Sequence, residues 1–123
     1  MTSPEDLQLL ERGTELIARG WCQGALARDV LGREVEPWSE TAASWSPLGA
    51  LLAAWYESTC ASRDAFEAAY AALAFATGGR VEEWNGERWR TQRHVRSAFF
   101  RAHEHIAAAA RRYVFRDAQV SSA

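Results

Sequence analysis

The chain has 123 residues, 48% of them apolar and 24% charged, with a formal net charge of −2. That length supports one domain around one core and is too short for two, and the composition excludes a disordered chain. No run approaches the roughly 18 apolar residues of a membrane span, and the acidic start "MTSPEDLQLLERG" is unlike a secretion signal, so a cytoplasmic protein with no membrane partner is expected.

Taken in chain order, Ser3-Pro4-Glu5-Asp6 reads as a helix start: a capping oxygen, a proline suited to the first turn, and acids at the positive end of the helix. Leu7, Leu10, Thr14 and Ile17 fall on one face, and Gly20 is positioned to stop the helix in a left-handed conformation. A short helix is expected within residues 24–31. "GREVEPW" then breaks the pattern, because Pro37 biases Glu36 away from helix. This long connection carries too many apolar residues for disorder and is expected to pack.

Ser46-Pro47 repeats the helix-start grammar ahead of a second helix over 47–59, with Leu48, Leu51, Leu52, Trp55 and Thr59 as its stripe. Ser62 caps a third, whose face is Phe66, Ala69, Tyr70 and Leu73 and which ends at Gly78-Gly79. Phe75 points almost oppositely, which suggests a helix in the middle of the domain. "RVEEWNGERW" reads as a compact loop around the Asn85-Gly86 turn. Thr91 caps the last helix, along which Val95, Phe99, Ala102, Ile106, Ala109 and Tyr113 make one apolar face. The expected fold is all-α: a single-domain bundle of about four helices over residues 1–123, with two tryptophan-bearing irregular loops and residues 114–123 as a tail.

Cys22 and Cys60 are too few for a disulfide framework or a metal cluster and read as buried thiols. His94, His103 and His105 share the last helix but not one face. His94 and His105 are about 16 Å apart along the axis, and His103 and His105 point roughly 160° apart. No metal site and no cofactor is expected.

All 14 basic residues are arginine, and residues 88–116 hold eight of them against the single acid Glu104. Such a segment could meet phosphates, but packing beside the acidic first helix, with Glu5, Asp6, Glu11 and Glu15, is the favoured account. His94, Arg101, His105 and Arg112 recur at spacings of seven, four and seven as a basic ridge. Phe100, with Arg93, Glu104 and Arg111, marks a second exposed face. A nucleic-acid partner is weighed here and not favoured, since no recognised nucleic-acid motif accompanies the charges.

Six tryptophans are many for this length. Trp21, Trp45 and Trp84, with Gln23, Arg28 and Asn85, are the candidate ligand-binding residues: aromatic walls with a few orienting polar groups. Asp29 and Glu83 are weak candidates for a general base if burial raises their pKa, and Arg28 for an electrostatic stabiliser. No nucleophile elbow, cofactor fingerprint or paired carboxylate is present.

Together, "ELIARGWCQGALARDVLGREV", "WSPLGALLAAW" and "VEEWNGERWRTQRHV" resemble, over about residues 7–110, DUF6197, a family of small actinobacterial and phage proteins of unknown function. The resemblance places Gly20, Trp21, Gln23, Gly24, Arg28, Trp45, Gly49, Ala50, Leu51, Trp84, Asn85 and Thr91 at the characteristic positions of that family. Gly86 stands where relatives carry an aspartate after Trp-Asn, removing a carboxylate, and Ser46 where relatives often have cysteine. The resemblance implies a fold and a location of importance, and no reaction. A non-catalytic binding or interaction protein, with an unknown protein or small molecule as partner and a homodimer as the default assembly, is expected ahead of a small-molecule-binding protein or a small cofactor-independent enzyme with a tryptophan-lined pocket.

Overall fold

A computed structural model describes residues 4–59 and 61–121, with side chains described as far as Arg112. The elements in order are α1 (Glu5–Arg19), β1 (Ala27–Arg28), β2 (Ser44–Trp45), α2 (Pro47–Glu57), α3 (Arg63–Thr77), α4 (Val81–Asn85) and α5 (Gln92–Ser121). The expected Ser3 cap, Cys60 and the Tyr113 side chain lie outside the described residues.

Helix α1 is the centre of the bundle, packed against α2, α3 and α5. It buries Leu7, Leu9, Leu10, Gly13, Leu16 and Ile17. At Gly13 an added Cβ would stand 2.6 Å from the Phe99 ring, so the missing side chain is what lets α5 come close. The central place expected for α3 is therefore taken by α1: α3 buries Ala69, Ala72 and Leu73, while Phe75 is 71% exposed.

Three of the expected caps form. Ser46 Oγ accepts the Gly49 amide at 3.0 Å, Ser62 Oγ accepts the Ala65 amide at 3.1 Å, and Thr91 Oγ1 accepts the His94 amide at 3.3 Å. Gly78 ends α3 in the left-handed region, as expected. Gly20 does not end α1 that way: its backbone is extended, at φ −176° and ψ 139°. It is glycine because a Cβ there would lie 2.1 Å from the Ala43 carbonyl oxygen. Helix α2 stops at Glu57, leaving Thr59 exposed rather than on the stripe, and its buried side is built from Pro47, Gly49, Ala50, Leu51, Ala53 and Ala54.

The helix expected within 24–31 is replaced by bends and by β1, which pairs antiparallel with β2 in the register Ala27 to Trp45 and Arg28 to Ser44. The compact loop expected over 80–89 contains the single-turn α4 instead, with Gly86 in the helical region at φ −78°. On α5, Val95, Ala98, Phe99 and Ala102 are buried, Ile106 is half-buried, and Ala109 is exposed, so the apolar face ends sooner than its periodicity suggests.

A clasp between two tryptophan turns and an open basic face

The stretch between α1 and α2 folds back on itself before it meets α4. The Cys22 amide donates to the Trp45 carbonyl, the Trp45 amide to the Gly20 carbonyl, and the Ser46 amide to the Leu26 carbonyl. Gly49 makes the last approach feasible, because a Cβ there would sit 1.8 Å from the Leu26 oxygen. Trp45 is 6% exposed, and its indole N–H donates to the Pro37 carbonyl at 2.9 Å.

The Trp21 turn and the Trp84-Asn85 turn meet. Asn85, 1% exposed, accepts the Trp21 indole N–H on Oδ1 at 2.7 Å and donates from Nδ2 to the Cys22 carbonyl at 3.1 Å. Gln23 Nε2 donates to the carbonyls of Asn85 and Glu87 at 2.7 and 2.9 Å. Arg28 extends the network, donating from Nη2 to the Gln23 carbonyl and from Nη1 to the Gly32 carbonyl. Trp21 and Trp84 are half-buried against the core. All six candidate ligand-binding residues thus belong to one contiguous region, and the Trp21 and Trp45 indoles, the Gln23 amide nitrogen, the Arg28 guanidinium and the Asn85 amide are bonded within the chain. Among the described residues, no buried side-chain nitrogen or oxygen lacks a partner.

The catalytic candidates are also engaged. Asp29 Oδ1 accepts the amides of Leu31 and Arg33 at 2.9 Å, and Oδ2 accepts Arg33 Nε at 2.8 Å. These bonds, the Arg33 amide first, hold its carboxyl below the ordinary aspartate range, the opposite of the rise a general base requires. Glu83 is exposed and ion-paired with Arg80 at 3.1 Å. Cys22 is buried, its thiol pushed up by burial, which leaves it a protonated structural sulfur.

Glu82, which sequence reasoning passed over, is the half-buried carboxylate of this region. It accepts the Leu48 amide in the first turn of α2 at 3.2 Å, while burial pushes its pKa up. Its signal in the sequence was weak, since it sits beside an equally acidic Glu83.

On α5 the expected ridge is exposed. The His94 ring meets the Trp89 edge at 6.2 Å, Arg101 Nη2 donates to the Ala76 carbonyl at 3.1 Å, His105 stacks on Phe75 at 4.4 Å, and Arg112 is exposed. The helix packs beside α1, as favoured, but among the described residues none of its arginines pairs with an acid of α1. Among the described residues its side-chain contact with an acid of α1 is His103 Nε2 to Glu11 Oε1 at 3.1 Å, and Glu15 and Glu57 instead pair with Arg12 of α1. Arg88, Arg93, Arg96 and Arg112 are exposed with no carboxylate partner among the described residues. Arg93, Arg96 and Arg101 line one cleft of about 600 Å³ with Phe100, Ser97 and Thr14. A second cleft, of about 320 Å³, is lined by Trp38, Trp45, Tyr56 and Arg19 among others, with Trp38 and Tyr56 stacked at 5.3 Å.

No described helix is long and apolar enough to cross a membrane, and no group of three or more metal-ligating side chains occurs among the described residues. Comparison with curated proteins and with solved structures gave no match. Residues 1–105 match the model of DUF6197, a family of unknown function, and the chain belongs to that family.

Proposed function

We propose that this chain is a non-catalytic binding protein that engages an anionic partner through the exposed face of α5, with the tryptophan clasp as its scaffold. One observation carries the reading. Arg93, Arg96 and Arg112 of α5, and Arg88 in the connection before it, project to solvent without a carboxylate partner among the described residues, although the molecule as a whole is acidic. Unneutralised guanidiniums along α5 and the turn before it concentrate positive potential where the net charge would give the opposite sign. They also present paired donors suited to phosphate or carboxylate. The hydrogen bonds of the clasp support its scaffold role, since Trp21, Gln23 and Asn85 spend their polar groups on one another and on backbone.

Heparin chromatography tests this directly. The wild-type protein, with a net charge of −2, is expected to be retained at low salt, and an Arg93→Glu/Arg96→Glu variant is expected to flow through. Acids near the start of α5 are favourable to the helix, so the variant is expected to fold. An Arg63→Glu variant, altered on α3, should be retained like wild type. Wild-type protein in the flow-through would overturn the reading.

The cleft walled by Trp38, Tyr56 and Trp45 favours a second reading, a small-molecule site. Its aromatic walls suit a planar ligand, and its lining carries charge of both signs, Arg12 paired with Glu57 beside Arg19 and Glu40. Native mass spectrometry of protein from its own host tests this: a retained small molecule lost in Trp38→Ala supports it, and bare protein counts against it.

A further inference from the structure

We infer that the anionic partner is single-stranded nucleic acid, with Phe100 as a base-stacking platform flanked by the guanidiniums of Arg93, Arg96 and Arg101. The inference rests on the reading of α5 as the binding face and adds to it the chemistry of the occupant.

Charge alone would suit any polyanion, and the aromatic residues make the distinction. Phe100 is 66% exposed on a helix whose apolar side is already satisfied by Val95, Phe99 and Ala102, so its ring is surplus to the core. It opens into the same cleft as the three arginines. Residues three, four and seven apart share a side of a helix, which sets Arg96 and Arg93 one and two turns before Phe100, with Arg101 adjacent in sequence. A second exposed ring lies further along α5, where Phe75, 71% exposed, stacks on His105. With 100° per residue, both Arg101 and Glu104 fall in angle between Phe100 and His105, and with Glu104 3.8 Å from Arg111, Arg101 is the cation between the two flat surfaces. Alternating π surfaces and backbone-binding cations are what an unpaired strand requires, because each of its bases has a face to stack and each linkage a phosphate to neutralise. A duplex keeps its base faces stacked internally and offers Phe100 nothing. A sulfated polysaccharide has charge and no aromatic face.

Fluorescence anisotropy at two salt concentrations tests this with a labelled mixed-sequence 12-mer as single-stranded DNA, the same sequence as RNA, and its duplex, with heparin as competitor. Wild-type protein should bind one of the single strands more tightly than the duplex, and the affinity should fall as salt rises. Phe100→Ala should weaken single-strand binding at least about fivefold and leave heparin and duplex binding unchanged. The ring is exposed, so a thermal melt matching wild type is expected to accompany that loss. Arg93→Glu/Arg96→Glu should weaken every polyanion. Equal affinity for single strand, duplex and heparin with Phe100→Ala silent would overturn the single-strand assignment and leave the anionic-partner reading intact. No binding to any of them at low salt would overturn both.

Discussion

Replacing Asn85 with alanine removes one of the two side chains that hold the tryptophan turns to each other, Gln23 being the other. Asn85 is 1% exposed and bonds Trp21 Nε1 at 2.7 Å and the Cys22 carbonyl at 3.1 Å. Trp21 is half-buried, so its freed N–H can partly reach water, and the loss there is about 1 kcal/mol. The Cys22 carbonyl is left without that amide in a buried setting, at about 1–2 kcal/mol. Lost packing contributes up to about 1 kcal/mol more. The expected loss is about 2–4 kcal/mol, or roughly 6–20 °C in Tm for a chain of this size. Urea and thermal unfolding followed by circular dichroism and tryptophan fluorescence would measure it. A double-mutant cycle with Trp21→Phe, which keeps an aromatic ring and deletes the N–H donor, should give a coupling of about 1 kcal/mol. A loss below about 0.5 kcal/mol with additive single effects would refute the reasoning, because it would mean the two turns are placed without the asparagine.

Gly49→Ala should prevent folding or cost at least about 3 kcal/mol, since its Cβ meets the Leu26 carbonyl, whereas Gly32→Ala, at φ +82° with nothing within 4 Å, should cost only about 1 kcal/mol; comparing expression and melting temperatures checks both. Asp29 has a lowered pKa when folded, so its stabilising contribution is present above the ordinary value of 3.8 and lost as pH falls through the folded value; Asp29→Asn should lower stability at pH 7 and approach wild type in acid, as read by urea midpoints across pH. Glu82 has a raised pKa, so its contribution is complete below the ordinary value of 4.5 and lost as pH rises through the folded value. Glu82→Gln, which keeps an acceptor for Leu48, should therefore gain on wild type as pH rises, and a constant difference across pH would count against that environment.

The helices were legible because their signals are local. Ser46, Ser62 and Thr91 each announce a helix within three residues, and the apolar spacing of Leu7, Leu10 and Ile17 fixes the buried side of α1. What escaped were pairings set by distant backbone. Nothing around Ala27 says that it will lie beside Trp45, so the apolar residues from Ala25 read as a short helix. Gly20 and Gly49 looked like helix punctuation and a helix position, and only the approach of Ala43 and Leu26 shows why neither can carry a side chain. The residues gathered as a pocket were correctly read as neighbours, because tryptophan N–H groups and a buried asparagine need partners. Their tendency to satisfy one another was invisible until the turns met. The packing of the basic helix against α1 was legible, but the fate of the α1 acids was not: Glu15 pairs with Arg12, Glu5 accepts the Ser62 amide and Glu11 meets His103, so the arginines of α5 are left without them.

The most direct test of the division between scaffold and binding face is a two-dimensional amide spectrum of labelled protein titrated with a single-stranded oligonucleotide at low salt. Amides around Arg93, Arg96, Phe100 and Arg101 should shift progressively while the Trp21 indole and the Gln23 and Asn85 side-chain amides stay in place. Movement of those three side-chain signals with α5 unchanged would contradict that division.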